Sequence, residues 1–215
     1  MKAFLFDLNG TMIDDMQYHI DAWHKIFNAF GAGFTMEQTQ QECYGKGTEM
    51  MERVFPGKFT NKEIIELIDK KEAAYRSDYK PYLKLISGLD EFLAAAKQQN
   101  IKMAIGSAAM KLNVDFVLDN LKIRHYFDAV ISADEVVKSK PDGETYLKCA
   151  EALNVKPIEC LVFEDVPKGV ESASNAGMKA VVIAGLHSRE EFAGFDNVIR
   201  FIKDYKGLLV EEIVN

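Results

Sequence analysis

The sequence predicts an α/β fold: a doubly wound parallel sheet with a helical cap domain inserted after its first strand. Two observations support this prediction. Short apolar segments alternate with helical patterns over most of the 215 residues, and the stretch 12–81 contains helical patterns alone. Such alternation is typical of a parallel sheet covered by helices on both faces.

Six apolar segments have the length and composition of buried strands. Few polar residues interrupt them, which indicates that helices cover both faces of the sheet. The segments span residues 2–8, 101–106, 129–131, 160–163 and 180–184, with a weaker one at 198–202.

Helix-boundary residues lie between these strands. Gly88-Leu89-Asp90 leads into a helical pattern over residues 91–99. Pro141 suits the first turn of a helix running to about Leu153, and Pro167 suits the first turn of another, because the first turn leaves its amides without helical partners. Gly177 is placed to end that last helix as its C′ glycine.

The stretch 12–81 predicts packed helices. An apolar stripe at i, i+3, i+4 spacing indicates one helix, residues 63–75 indicate a second, and Asp14 with Gln17 predicts a capping box before the first. The stripe comprises His19, Ala22, Trp23, Ile26, Phe27 and Phe30, and the second helix carries Ile64, Ile65, Leu67 and Ile68. We expect a core domain of residues 1–12 and 83–215 and a cap of the four-helix-bundle type over 13–82.

The composition is that of a folded globular protein with an acidic surplus. Twenty-six basic against 33 acidic residues give a net charge of −7, which argues against nucleic-acid binding because a phosphate backbone requires basic surface. No apolar run reaches the roughly 18 residues of a membrane helix. The three cysteines form no CxxC pair, as is usual for reduced thiols. We expect a cytoplasmic monomer without nucleic-acid or membrane partners.

Polar side chains gather where the predicted strands end. Asp7 follows the first strand, Ser107 the second and Glu164-Asp165 the fourth, while Lys140 precedes the Pro141 helix. Ligands of open α/β sheets bind beyond the carboxyl ends of the strands, so these groups should share one crevice. Any single acid there can equally be a helix cap.

The chemistry that suits this set of groups is phosphoryl transfer on a small phosphorylated metabolite. Carboxylates are the ligands that Mg²⁺ prefers, and Ser107 and Lys140 can hold phosphate oxygens. Asp7 is then either a metal ligand or a nucleophile that forms an aspartyl-phosphate. The cation and the lysine are needed because a carboxylate alone repels an anionic phosphate.

In order and spacing, these residues resemble the motifs of the haloacid-dehalogenase superfamily, whose core is Rossmann-like. Phe6-Asp7-Leu8-Asn9-Gly10-Thr11 is similar to the first motif, DxDGT or DxDGV. Ser107 matches the second motif, Lys140-Pro141 the third and Glu164-Asp165 the fourth. The helical insert resembles the C1 cap, and the chain looks most like the β-phosphoglucomutase and sugar-phosphate phosphatase branch.

The resemblance implies a role for each residue. Asp7 is the expected nucleophile and a Mg²⁺ ligand, the backbone carbonyl of Asn9 and the Asp165 carboxylate are further ligands, and Glu164 supports them. Ser107 and Lys140 are expected to be catalytic. Thr11 and Ala108 are expected substrate contacts.

Asn9 departs from the first motif, where the family carries a second aspartate that acts as general acid and base. An amide cannot exchange that proton, and such catalysis is worth roughly 10²–10⁴-fold, so turnover is expected to be slow. Three explanations stay open: an inactivated variant, a natural member with weak or altered chemistry, and conversion to aspartate, since Asn-Gly deamidates readily.

The cap residues expected to contact the substrate are His19, Trp23 and Lys46. His19 and Trp23 also fit a buried stripe, and Lys46, within Tyr44-Gly45-Lys46-Gly47-Thr48, also fits an ordinary turn. Mutases of this branch resemble the chain but carry lysine and arginine where Tyr44 and Thr48 stand, which favours a phosphatase.

Two alternatives to a slow phosphatase or mutase remain. The chain can be a pseudoenzyme that binds Mg²⁺ and a phosphorylated metabolite without turnover. It can also be similar to phosphonoacetaldehyde hydrolases, with Lys46 as Schiff-base nucleophile, although these normally carry alanine at the position of Asn9.

Overall fold

The protein is described over residues 1–214 from a computed structural model. Its sheet has six parallel strands in the order β3-β2-β1-β4-β5-β6. The strands are β1 (Ala3–Phe6), β2 (Lys102–Gly106), β3 (Ala129–Ile131), β4 (Cys160–Glu164), β5 (Lys179–Ile183) and β6 (Val198–Ile202).

The described helices include five between β1 and β2 and four later in the chain. They are α1 (Met16–Ala29), α2 (Met36–Glu42), α3 (Gly47–Val54), α4 (Asn61–Tyr79), α5 (Leu89–Gln98), α6 (Lys111–Leu121), α7 (Glu144–Ala152), α8 (Pro167–Asn175) and α9 (Glu211–Val214). No helix within residues 1–214 combines the length and hydropathy needed to cross a membrane.

Alternate residues of the central strand β1 enter different hydrophobic layers, as the two-residue period of a strand requires. Leu5 packs in a cluster with Tyr146 of α7 and Val170 of α8. Phe4 instead stacks on Phe92 of α5, with ring centroids 5.6 Å apart. Helices therefore cover both faces of the sheet, and the predicted doubly wound α/β class is confirmed.

Contacts divide the chain into two units, one formed by Met1–Asp14 with the chain from Lys84 onward, the other by Asp15–Leu83. The second unit, called the cap unit below, contains α1–α4 and has its own hydrophobic cluster. The buried members of that cluster are Trp23, Phe27, Met50, Met51, Phe55 and Ile64. Ile65, predicted to be part of the apolar face of α4, is 51% exposed.

Two predicted helix starts are wrong. The capping residue of α1 is Asp15, without a side-chain capping bond, because its carboxylate accepts a hydrogen bond from Tyr75. Helix α7 begins at Glu144 rather than at Pro141. The Asp142 side chain accepts the Glu144 N–H at 3.0 Å, which places the start of the helix three residues later.

The start and end predicted for α8 are confirmed. Pro167 occupies its first turn. Gly177 follows the Ala176 cap with a φ of 71°, in the left-handed region that glycine adopts without a steric penalty.

Candidate active site

The carboxyl ends of β1 and β4 bring three acids together. These strands are neighbours in register, with Phe6 opposite Phe163, so Asp7 follows one strand where Glu164 and Asp165 end the other. Carboxylate oxygens of the three residues lie within 4.8 Å of one another, and all three residues are buried. The predicted convergence of these acids is thus present in the structure.

Lys140 lies among these acids, and its ammonium group contacts three side-chain oxygens. The Nζ atom is 2.5 Å from Asp7 Oδ1, 2.6 Å from Glu164 Oε1 and 2.9 Å from the Tyr146 hydroxyl. Burial disfavours the ammonium cation, but the Asp7 and Glu164 charges outweigh burial and raise the pKa of Lys140. Lys140 is therefore a cation that holds one oxygen of Asp7 in place.

Glu164 has both carboxylate oxygens occupied by protein donors. Its Oε1 accepts from Lys140 and from the Tyr146 hydroxyl, the latter at 2.7 Å. Its Oε2 accepts the backbone N–H groups of Asp165 at 3.0 Å and Val166 at 3.3 Å. This geometry suits Glu164 to orienting its neighbours rather than to binding a ligand directly.

Asp165 is 3% exposed, and the Thr11 hydroxyl donates to its Oδ1 at 3.1 Å. Burial, followed by the charges of Glu164 and Asp7, raises the pKa of Asp165 well above its usual range. Gly10 allows this close packing, since a β-carbon there would overlap the Asp165 carboxylate and the φ of Gly10 is 77°.

The charges of this cluster fit a divalent cation. With all three carboxylates ionised and Lys140 protonated, the formal charge of this buried site is −3 + 1 = −2, and buried charges require compensation. Oxygen ligands of this kind suit Mg²⁺. Asp7 and Asp165 are the carboxylates suited to direct coordination, because Glu164 is already fully bonded.

The segment that carries Asn9 is a tight loop after β1. The Gly10 N–H donates to the Ile13 carbonyl at 2.8 Å, and the Met12 N–H donates to the Leu8 carbonyl at 2.8 Å. The buried Tyr205 hydroxyl donates to the Thr11 carbonyl at 3.1 Å. Asn9 is half-buried within this loop.

Ser107 follows β2, the other neighbour of β1. Its N–H donates to the Ile131 carbonyl at 2.9 Å, and its hydroxyl oxygen accepts the Ala109 N–H at 3.0 Å. Because that contact uses the hydroxyl as an acceptor, its proton is available for donation. Ala108, between them, is half-buried.

The three remaining predicted residues belong to the cap unit. The Trp23 side chain is buried in the hydrophobic cluster of that unit, stacked on Phe27 with centroids 5.4 Å apart. Lys46 is the N-cap residue of α3, and its backbone N–H donates to Glu49 at 3.1 Å. Trp23 is therefore a buried residue of the apolar stripe of α1.

His19 lies in a buried polar cluster that the sequence did not predict. Its Nδ1 is 2.7 Å from Lys71 Nζ and its Nε2 is 3.4 Å from Asp15. Lys71 also pairs with Glu72 at 2.7 Å, and burial lowers the pKa of Lys71. Residues 64, 68, 71 and 75 are spaced so that they share one face of a helix. This spacing could have predicted that Lys71 is buried.

Tyr146 was also missed as a site residue. It lies on α7 with Cys149 and Leu153 at i+3 and i+7, a spacing that predicts burial. That pattern does not reveal that its hydroxyl reaches Lys140 and Glu164. Burial, followed by the Glu164 and Asp7 charges, raises the pKa of Tyr146, which keeps it a neutral donor.

Comparison with known proteins gives the same assignment as the motifs. Residues 4–183 match the family described as haloacid dehalogenase-like hydrolase. The β-phosphoglucomutase of Bacillus subtilis (strain 168) is 32% identical over 220 residues, covering 99% of this chain and 95% of that protein. The fructose-1-phosphate phosphatase of Escherichia coli (strain K12) is 30% identical over 180 residues, covering 83% and 94%.

Solved structures share the fold. The β-phosphoglucomutase of Clostridium difficile superposes with a TM-score of 0.87 at 25% identity, covering 99% of this chain and 95% of that one. The relatives are phosphatases and phosphomutases, and the protein is an enzyme of that class. Specifically, the chain belongs to the haloacid dehalogenase-like hydrolase family, which confirms the resemblance drawn from its motifs.

Proposed function

We propose that the protein is a Mg²⁺-dependent phosphoryl-transfer enzyme that acts on a small phosphorylated sugar through an aspartyl-phosphate on Asp7. The observation that carries this proposal is the Asp7 carboxylate, held at 2.5 Å by Lys140 beside the acidic pair Glu164 and Asp165. The names of the relatives, a phosphoglucomutase and a sugar phosphatase, support the substrate class.

Asp7 is the proposed nucleophile. A carboxylate oxygen of Asp7 forms a bond to phosphorus while the ester P–O bond breaks, and the electron pair of that bond leaves with the sugar oxygen. Water then attacks the phosphorus of the aspartyl-phosphate, which releases inorganic phosphate and restores Asp7. Lys140 holds Asp7 in place through their ion pair, and the Ser107 hydroxyl donates to a phosphate oxygen.

Asp7, Asp165 and the backbone carbonyl of Asn9 are the proposed ligands of the cation, with Glu164 in support. Bound Mg²⁺ neutralises phosphate charge so that an anionic nucleophile can approach. Thr11 acts by orienting Asp165, to which its hydroxyl donates. Thr11 and Ala108 remain proposed contacts of the phosphate.

Asn9 limits the reaction in this proposal. Its amide has no proton to deliver to the departing sugar oxygen and no basic site to accept one from the attacking water. Both steps then depend on solvent, which makes turnover slow without preventing the first transfer to Asp7.

The cap unit is the proposed source of substrate selectivity. We assign His19 and Lys46 to the part of the substrate that does not react, with Lys46 facing a remote anion, whereas Trp23 is a buried core residue of this unit. Tyr44 and Thr48 replace the lysine and arginine of similar mutases. Their presence favours a phosphatase over a mutase.

The test is phosphate release from a panel of sugar phosphates with Mg²⁺, measured for the unsubstituted protein, Asp7→Asn and Asn9→Asp. We expect slow release by the unsubstituted protein, none by Asp7→Asn, and faster release by Asn9→Asp. Phosphate release that persists in Asp7→Asn would contradict the assignment of Asp7 as the nucleophile.

A second candidate, a phosphometabolite-binding pseudoenzyme, is favoured by Asn9 itself. It predicts saturable binding of a sugar phosphate, measured by calorimetry, with turnover by neither the unsubstituted protein nor Asn9→Asp. Turnover by Asn9→Asp alone supports instead an enzyme whose chemistry the amide has suppressed.

A further inference from the structure

The short segment between α2 and α3, residues 43–46, is bound by an arginine of the following helix. Arg53 Nη2 donates to the backbone carbonyls of Glu42 at 2.8 Å and Tyr44 at 3.0 Å. Its Nε donates to the Glu42 carboxylate at 3.1 Å. Its guanidinium carbon lies 3.9 Å from the centre of the Tyr44 ring. One side chain thus makes two contacts with Tyr44 of this segment and two with Glu42, the last residue of α2.

These contacts use properties that only arginine combines. The planar guanidinium presents several N–H donors in fixed directions and stacks on an aromatic ring at the same time. The Glu42 carbonyl lies at the end of α2, where a helix leaves carbonyls without helical partners. Lysine has a similar charge but cannot reproduce this set of directions.

The other end of the segment is held by different groups. The Lys46 N–H donates to Glu49 Oε2 at 3.1 Å. A β-carbon on Gly47 would lie 3.0 Å from Ile68 and 3.3 Å from Trp23, so this residue is tightly packed in the cap unit. Gly45 provides the turn between the two ends, with a φ of 76°. The backbone of Lys46 is therefore fixed on both sides.

From this geometry we propose that Arg53 is a positioning residue for substrate selectivity. Arg53 holds the segment 43–46 in one conformation, which presents Lys46 in a fixed place for an anionic group remote from the reacting phosphate. The inference rests on the proposed function, in which Lys46 contacts the substrate. A preorganised segment avoids the ordering that binding would otherwise require.

The test compares two phosphate esters in steady-state kinetics with Mg²⁺. Fructose 1,6-bisphosphate carries a second anion, and p-nitrophenyl phosphate carries none. We expect Arg53→Ala to raise KM for the bisphosphate about 10-fold or more, while kcat and KM for p-nitrophenyl phosphate change less than about twofold. Arg53→Lys should fail to restore the bisphosphate KM.

Lys58→Ala is the matched control. Lys58 is another cation of the cap unit that donates to a backbone carbonyl, that of Phe30 at 2.6 Å, and lies over an aromatic ring, 4.8 Å from the centre of Phe55. These contacts are with Phe30 and Phe55 rather than with residues 43–46, so both esters should behave as with the unsubstituted protein. Amide hydrogen exchange at Lys46 should accelerate in Arg53→Ala and not in Lys58→Ala.

The outcomes separate this inference from the proposed function. Turnover of both esters with equal changes in Arg53→Ala, or an unaltered bisphosphate KM, overturns the role of Arg53 and leaves the phosphatase proposal standing. Unaltered hydrogen exchange at Lys46 overturns it as well. Absence of turnover of either ester by the unsubstituted protein and by Asn9→Asp overturns the proposed function, and this inference with it.

Discussion

Asn9 is two residues from Asp7, yet the two side chains affect different parts of the proposed reaction. The Asp7 Oδ1 atom is paired with Lys140 Nζ at 2.5 Å. Asn9, half-buried in the loop after β1, has an amide that neither gains nor loses a proton at neutral pH. In this proposal Asp7 can therefore attack phosphorus, but Asn9 cannot protonate the leaving oxygen.

Asn9→Asp is expected to raise turnover of alkyl phosphates by ~10²–10⁴-fold, because it restores a group able to transfer a proton. The gain in the first step should be smaller for aryl phosphates, whose leaving oxygens require less protonation. Steady-state and single-turnover kinetics on both ester types measure this difference.

Asn120→Asp, an identical exchange at an exposed position on α6, is the control and should leave both rates unchanged. Peptide mass analysis should find the amide at position 9 of the unsubstituted protein. Equal rates for Asn9→Asp and the unsubstituted protein would mean that position 9 is not what limits turnover.

At the scale of the element, helix α8 is shaped by a carboxylate on the preceding strand. Gly169, in the first turn of α8, is buried, and a β-carbon there would overlap the Glu164 carboxylate. Alanine is normally the better helix former by about 1 kcal/mol. Here the steric conflict opposes that preference, because Glu164 cannot move without leaving Lys140 and Tyr146.

Gly169→Ala is therefore expected to reduce the free energy of unfolding by about 1–3 kcal/mol, as overpacked sites do, and to lower phosphatase activity more than tenfold. Urea denaturation and phosphate release measure the two effects. Gly194→Ala is the control, since a β-carbon at Gly194 meets no atom within 4 Å. A Gly169→Ala protein that is more stable than the unsubstituted one would refute the steric argument.

Helix α7 is anchored at its start by a carboxylate that binds the loop before Lys140. Glu144 accepts the backbone N–H groups of Lys138 at 2.8 Å and Val137 at 2.9 Å. The Lys138 N–H, the Lys148 side chain and the Val137 N–H lower the pKa of Glu144 from 4.5 to about 2. This contribution to stability is present above the unfolded pKa of 4.5 and is lost as the pH falls towards 2.

Glu144→Gln should accordingly destabilise the protein at pH 7, and the difference from the unsubstituted protein should shrink between pH 4.5 and pH 2. Urea midpoints across that range measure it. Glu151→Gln, at an exposed position of the same helix, should have no comparable dependence on pH. A Glu144→Gln difference that stays constant from pH 7 to pH 2 would contradict the assignment.

At the scale of the whole molecule, we expect the buried acids to make the stability of the protein depend on a divalent cation. The cluster of Asp7, Glu164, Asp165 and Lys140 has a formal charge of −2, and a ligand that binds only the folded state stabilises it. Mg²⁺ at a hundred times its Kd is expected to add about 2.7 kcal/mol to the free energy of unfolding.

Asp165→Asn should remove that Mg²⁺ stabilisation, whereas Asp196→Asn, at an exposed position, should retain it. Thermal denaturation with and without Mg²⁺ or a chelator measures the effect. An equal Mg²⁺ response in Asp165→Asn and the unsubstituted protein would rule out Asp165 as a ligand.

The sequence predicted the sheet well because buried parallel strands are continuous apolar runs. The bounds predicted for Ala129–Ile131 and Val198–Ile202 are those observed. The start of α7 was misplaced because Pro141 fits a first turn equally well in a loop, and the Asp142 contact that starts α7 later depends on local geometry.

The candidate site, like the fold, could be predicted from the sequence only in part. Asp7, Glu164 and Asp165 were predictable because register brings the ends of parallel strands together. Tyr146 was not, since a helical stripe predicts burial but not the direction of a hydroxyl. The capping box at Asp14 failed for a similar reason: Asp15 contacts Tyr75, 60 residues away in the sequence.

The central claim is that Asp7 receives the phosphoryl group, and direct labelling tests it. The protein is incubated with acetyl phosphate and Mg²⁺ and quenched in acid, and its peptides are analysed by mass spectrometry. Because Asn9 cannot activate water, the phosphoryl group should accumulate on Asp7 and should be absent from Asp7→Asn and from chelator-treated protein. Phosphate release without any phosphorylated Asp7, or a label on another residue, would contradict the account.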